Sequence, residues 1–398
     1  MAATFDRRDF LQGAAALVVA VALPRVAGAQ DPRPQLLGTS PTAGNLTPYL
    51  EIATDGRVTL LSPTTEMGQG THTAHALLIA DELGVSMDRV SVRVPLPSDP
   101  FRRGPAQGPK SMGSGGSWGV RYWYLPLRTA AAQAREMLVA AAAVRLGVEA
   151  AALAARDGRV HHAASGRSLA FGELVADAAK LAPPAQPALK SRAELTLAGR
   201  GWPRLDSREK CTGTATYSAD FRVPGMLYAC GRMSPVFKAE AVRFDATAAK
   251  RVPGVVDVVR VPGGVAVVAR TSWAAIRGAD ALEVEFEALP VAKVSSAEIS
   301  AAMREGLGAT DAVVHKDAPD AAELFAKAAR TLEQDYEVPS LAHAPMEPWS
   351  CTVRPNADGT LDVWAPIQAQ DRALTGAAAI AKLPPERICL HTLTLGGG

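Results

Sequence analysis

Cysteine is scarce in this sequence: Cys211, Cys230, Cys351 and Cys389 are the only four in 398 residues. None stands in a Cys-x-x-Cys pair, which leaves no pattern for an iron–sulfur cluster or a structural zinc. The four read as small buried hydrophobes. Surplus charge is missing too. A net charge of +2 supplies no argument for nucleic acid or an anionic membrane surface as partner. The apolar run near the N-terminus, residues 14–23, falls short of the ~20 residues a membrane span needs. What is present is an ordinary balance, 48% hydrophobic and 21% charged, in a chain long enough for two or more domains with their own cores. Alanine-rich stretches alternating with Gly/Pro turns predict a mixed α and β fold.

The first residues carry a targeting pattern. Arg7-Arg8 precede the apolar run, and Ala27-Gly28-Ala29 supply a small-residue cleavage site. Asp6 stands where Ser or Thr is usual. Residues 1–29 therefore read as a twin-arginine signal outside the fold, of the kind that exports folded, cofactor-loaded proteins to the periplasm. Residues 30–44 read as a leader.

Next comes a hairpin across Asp55-Gly56, its second strand ending at Leu61. Thr64-Thr65-Glu66-Met67-Gly68-Gln69-Gly70-Thr71 follow, then a helix over residues 71–83. Two glycines and a glutamine at a strand-to-helix turn can present backbone N–H groups to an anion beside the positive helix end; an ordinary tight turn is the competing reading. A strand over residues 89–94 leads into a long loop, 95–119, containing Ser114-Gly115-Gly116-Ser117. Its small residues permit close approach to the backbone, and its hydroxyls offer polar contacts. The helix 124–146 follows directly, so a second glycine-rich loop is delivered to a helix. Residues 148–195 are rich in Ala and Pro, with one short helix over 171–181 in which Gly172-Glu173-Leu174-Val175 read as peripheral, and a linker over 182–188. A boundary is expected at 199–206. Short strands and helices alternate from there to residue 286. Acidic surface helices, a rigid turn at 342–348, a hairpin across Asp358-Gly359, the helix 372–382 and a strand at 388–395 follow. Gly396-Gly397-Gly398 read as a loop awaiting its next element.

His72 and His75 lie three apart, but no third ligand is placed and a zinc site is not expected. Trp118, Tyr122, Trp123 and Tyr124 read as packing, with a substrate funnel as the alternative.

Taken in order, residues 65–71, Gly115-Gly116-Ser117, segments 213–220 and 224–227, His343 to Pro348 and the closing glycines resemble the molybdopterin-binding large subunit of the xanthine dehydrogenase and aldehyde oxidase family. The early position of the Glu-Met-Gly-Gln-Gly loop resembles the permuted isoquinoline 1-oxidoreductase beta-subunit branch. The resemblance implies a permuted molybdopterin-binding segment over 45–198, an α/β hammerhead over 204–290 and the start of a second molybdopterin-binding domain over 291–398. It implies that Gln69 and Gly70 contact the pterin and its phosphate, and that Gly115, Gly116 and Ser117 form a second cofactor loop. Gln368 would face the molybdenum oxo group, and Gly397 and Gly398 would open a loop lining the metal, with no direct protein ligand. Glu66 belongs to the first loop and is not assigned catalysis. The family's catalytic glutamate has no match up to residue 398.

The implied cofactor is molybdenum–molybdopterin in its cytosine dinucleotide form. The implied activity is oxidation of an aldehyde or N-heterocycle with water as oxygen source. Electrons would pass to a small subunit with two-iron two-sulfur clusters, none being carried by this chain, and then to a c-type cytochrome in the periplasm. A small-molecule substrate and no nucleic acid complete the expected partners. Residues 1–398 alone are expected to be inactive. A non-catalytic fragment or partner-binding pseudo-subunit without molybdenum is the alternative.

Overall fold

A computed structural model describes residues 18–20, 43–103, 110–311, 313 and 318–398. The twin arginines, the cleavage site and most of the leader lie outside the described residues. In chain order the strands and helices are β1 (Val18–Ala20), β2 (Ala43–Thr47), β3 (Leu50–Ala53), β4 (Val58–Leu61), α1 (Thr71–Leu83), β5 (Val90–Arg93), α2 (Trp118–Arg121) and α3 (Tyr124–Leu146). Then come β6 (Leu153–Arg156), β7 (Arg159–His162), β8 (Arg167–Ala170), α4 (Phe171–Ala178), α5 (Ser207–Thr212), β9 (Tyr228–Met233), β10 (Ala241–Asp245), α6 (Thr247–Lys250), β11 (Val255–Val261), β12 (Gly264–Ala269), α7 (Ser272–Asp280) and β13 (Glu283–Phe286). The series closes with α8 (Ser296–Gly306), α9 (Ala321–Lys327), β14 (Cys351–Pro355), β15 (Leu361–Ala365), α10 (Gln370–Ala381) and β16 (Ile388–Thr392). The fold is mixed α and β, as the sequence predicts.

The first core forms on the sheet β2-β3-β4-β5, in which β5 runs parallel to β4 because α1 provides the crossover. Leu50, Ile52, Val58 and Leu60 face helices α1, α3 and α4. Alanine decides how closely α3 packs: Ala130, Ala131, Ala134, Leu138 and Ala141 recur at three- and four-residue steps and are buried. Glycines at positive φ end both long helices, Gly84 after α1 and Gly147 after α3. A second core joins β9, β11 and β12 to β14, β15 and β16 through Val259, Val268, Val353, Val363 and Leu390. The strands β9 and β11 flank β12, whose six residues are all buried because α7 covers its other face.

Four sequence expectations are corrected. Residues 148–170, where the sequence reading places no strand, form an antiparallel meander of β6, β7 and β8, which an alanine-rich composition masks. The helix α4 is not peripheral. Phe171, Leu174, Val175 and Ala178 are buried in the first core, and a Cβ on Gly172 would lie 1.9 Å from the Thr54 carbonyl. The N-terminal segment is not wholly outside the fold, since β1 pairs in parallel with β14. An open strand edge carries unpaired N–H and C=O groups that accept an extended apolar segment. Finally, Cys211 is exposed rather than buried. The helices α8 and α9, by contrast, match their expected surface position: Met303, Leu324 and Phe325 are exposed.

Candidate functional site

The loop between β4 and α1 is closed by its own carboxylate. Glu66 is buried, and its Oε1 accepts hydrogen bonds from the amides of Gly68 and Gly70, each at 2.9 Å. Its Oε2 accepts from the His72 amide at 3.1 Å, and Arg204 Nη2 lies 3.0 Å from Oε1. Arg204 also donates to the Gly68 carbonyl. Burial pushes the Glu66 carboxyl up, but the three amide bonds outweigh it and hold the group below its ordinary range. Gly68 at φ 107° and Gly70 at φ 81° give the backbone the left-handed turns that aim these amides inward. The positive helix end is thus met from inside the protein, which corrects the picture of a vacant anion-binding turn. Gln69 is likewise turned inward: its Oε1 accepts from the Met67 amide at 2.7 Å and its Nε2 donates to the Thr65 carbonyl at 2.8 Å.

The second glycine-rich loop splits into a buried anchor and an exposed tip. Ser114 is buried, whereas Gly115, Gly116 and Ser117 face solvent. Gly116 and Ser117 both take positive φ, 53° and 57°, which turns the chain sharply into α2. His75 braces the far side, with Nε2 2.8 Å from the Gly119 carbonyl and Nδ1 3.0 Å from Ser62 Oγ. Bonding to a carbonyl requires Nε2 to carry the proton, so Nδ1 accepts from the serine. Burial drives the His75 pKa down to about 4. His72 Nε2 donates to the Thr64 carbonyl at 2.8 Å. Both histidines are spent on loop geometry, and no group of three metal-ligating side chains occurs among the described residues.

Thr65 ties these loops to a third. Its amide donates to Ser114 Oγ at 2.7 Å, and its hydroxyl donates to the Ile367 carbonyl at 2.6 Å. The same hydroxyl oxygen accepts from Gln370 Nε2 at 2.7 Å. The Ser114 amide closes the triangle on the Gln368 carbonyl at 2.7 Å. The last residues join them: a Cβ on Gly398 would meet Met67 Sδ at 2.9 Å and Gln368 Nε2 at 3.0 Å. Glu347 holds that approach, accepting from the Gly396 amide at 2.7 Å and from the Ser218 amide at 2.8 Å. The sequence-predicted positions Gln69, Gly70, Gly115, Gly116, Ser117, Gln368, Gly397 and Gly398 therefore belong to loops that converge, although they lie up to 329 residues apart, from Gln69 to Gly398. The polar side chains that draw them together are Thr65, Ser114, Gln370, Glu347 and Arg204, a role that sequence reasoning misses.

A cavity of about 1000 Å³ adjoins this cluster, with Thr65, Glu66 and His72 in its lining. Seven consecutive residues, 90–96, and six, 389–394, also line it. Side chains alternate faces along a strand, so consecutive residues share a cavity only at the strand's edge. The terminal strands β5 and β16 of two different sheets therefore face one slot. The aromatic group after the second loop is split. Trp123 is buried edge-on against Tyr49, while Trp118 stacks on Tyr122 at 5.2 Å.

Comparison with known proteins places this geometry. Residues 36–223 match a molybdopterin cofactor-binding domain model, residues 308–398 match a second one, and residues 4–24 match a twin-arginine translocation pathway signal sequence. The chain is 32% identical over 448 aligned residues to the beta subunit of isoquinoline 1-oxidoreductase from Brevundimonas diminuta, covering 99% of this chain and 55% of that protein. It is 30% identical to the membrane-bound aldehyde dehydrogenase [pyrroloquinoline-quinone] of Gluconacetobacter polyoxogenes, over 88% of this chain and 46% of that protein. To a nicotinate dehydrogenase subunit of Pseudomonas putida it is 31% identical, over 84% of this chain and 28% of that protein. The chain thus spans about half the length of the first two relatives.

Proposed function

Because the chain belongs to the molybdopterin-binding large subunits of the xanthine dehydrogenase and aldehyde oxidase family, we propose that it forms the cofactor-holding part of a molybdenum hydroxylase. The reaction is oxidation of an aldehyde or an N-heterocycle with water as the oxygen source. The observation that carries this reading is the meeting of three loops and the closing glycines around Thr65 and Gln368.

The residues fit a flat, anionic organic cofactor lying against backbone. Space is open where a side chain would stand on Gly68, Gly70 and Gly115, and the tip Gly115-Gly116-Ser117 is exposed. Gly115, Gly116 and Ser117 would hold the cofactor through backbone and hydroxyl groups. Gln368 would direct its carboxamide toward the metal side, and Gly397 and Gly398 would admit close approach there. Gln69 and Gly70 shape the first loop, since their polar groups are engaged within it. When bound, the molybdenum cofactor supplies the redox chemistry, and the chain supplies binding and orientation.

The wider reading includes a permuted domain order, with a hammerhead over residues 204–290 and a second molybdopterin domain from 291. A cytosine dinucleotide cofactor, an iron–sulfur partner subunit, a c-type cytochrome acceptor and a periplasmic location follow from the same family reading and from the signal at residues 4–24. Relatives named for isoquinoline, nicotinate and an aldehyde keep both substrate classes in play. The test is metal analysis of the protein purified from a host making molybdenum cofactor. About one molybdenum per chain is expected. Its absence would overturn the assignment and favour a partner-binding role without metal.

A further inference from the structure

We propose that Thr65 is a positioning residue that pins the first loop, the second loop and the Gln368 turn in one register. The proposal rests on the reading that these loops hold the cofactor. Four hydrogen bonds meet at one residue that is 2% exposed: through its amide to Ser114, through its hydroxyl to the Ile367 carbonyl, from Gln370 to that hydroxyl, and from Gln69 to its carbonyl. Their sequence separations are 49, 302, 305 and 4 residues. Only a side chain that donates and accepts at one oxygen serves both Ile367 and Gln370, so the hydroxyl is the requirement. Gln370 is fully buried, and its Oε1 has no partner among the described residues. The side chain is therefore held in place through its other end, on Thr65. Removing the Thr65 hydroxyl would leave the Gln370 amide without its acceptor, and a stranded buried donor costs more than a hydrogen bond contributes net. Loop 110–117 and turn 366–370 already meet through the Ser114 amide on the Gln368 carbonyl and the Met112 amide on Asp371, so what Thr65 adds is the tie from that pair to the first loop.

The test is amide hydrogen exchange on the full chain with Thr65→Val and Thr65→Ser. Thr65→Val keeps the shape and loses the hydroxyl; it is expected to speed exchange roughly tenfold in segment 366–370, which loses both its bonds to Thr65, and by less in segment 110–117, which keeps the Thr65 amide bond to Ser114. Segment 255–269 in β11 and β12 should be unchanged. Thr65→Ser should restore both remote segments to the wild-type rate. Ser114→Ala, which removes the acceptor of the Thr65 amide, should speed exchange in the first two loops and serves should the valine variant fail to fold. Wild-type rates in both remote segments of Thr65→Val would overturn the proposal. So would equal acceleration in segment 255–269, or a serine variant that behaves like the valine. Molybdenum content is read in parallel and should fall in Thr65→Val but not in Thr65→Ser. A wild type without molybdenum would defeat the cofactor reading while leaving the exchange result to decide the role of Thr65.

Discussion

Acidification should loosen the site through His75. The ring is fully buried, and burial is the main cause of its pKa falling to about 4 from an ordinary 6.5. The Gly119 carbonyl and Glu66 partly oppose that fall, and His72 reinforces it. A histidine whose folded pKa is depressed is neutral in the fold and protonates first in the unfolded chain. Its contribution is complete above pH 6.5 and is lost as pH falls toward 4. Linkage gives about 1.4 kcal/mol per pH unit across that window, so that on the order of 2–3 kcal/mol is lost by pH 4.5. The measurement is urea denaturation followed by tryptophan fluorescence at pH 7.5, 6.0 and 4.5, for the wild type and His75→Gln. The variant should be the less stable protein at pH 7.5 and should lose on the order of 2–3 kcal/mol less than the wild type on the way to pH 4.5. Parallel losses in the two proteins would refute the assignment of a neutral, carbonyl-bonded His75.

Two further outcomes test the scaffold. Glu82 is fully buried between Arg128 at 2.8 Å and Arg135 at 2.7 Å, and it also accepts from the Lys190 amide. Glu82→Gln leaves two guanidinium groups without their counter-charge and should cost about 3–5 kcal/mol in urea denaturation; a loss under about 1 kcal/mol would show that the pair is not desolvated as described. Maleimide labelling of the folded protein should modify Cys211 first, because it is exposed while Cys389 is buried and burial pushes the Cys351 thiol up to about 11. Faster labelling at Cys351 would contradict the placement of β14.

Local signals are legible wherever hydrophobic period and glycine stops agree. The helices Thr71–Leu83 and Tyr124–Leu146 begin and end where the sequence predicts, because each ends at a glycine that takes positive φ. The meander β6–β8 is not legible, since its strands are four residues long and alanine dilutes their alternation. The burial of Phe171–Ala178 is hidden for a different reason: besides α3 it packs on β2 and β3, which lie more than 100 residues earlier. At the site, glycines and Gln368 can be picked out as a pattern. That Glu66 fills the turn, and that one threonine hydroxyl joins loops 302 residues apart, depend on tertiary approach. No local window contains that information.

The carboxylate inside the first loop bears on the order of assembly. A turn that waits for an external phosphate is coupled to its ligand: the two close together, and an empty chain leaves a frayed helix end. Here Glu66 already satisfies the amides of Gly68, Gly70 and His72. The loop has no electrostatic need of a guest in order to close. The turn can then take its final shape from this chain's own groups alone.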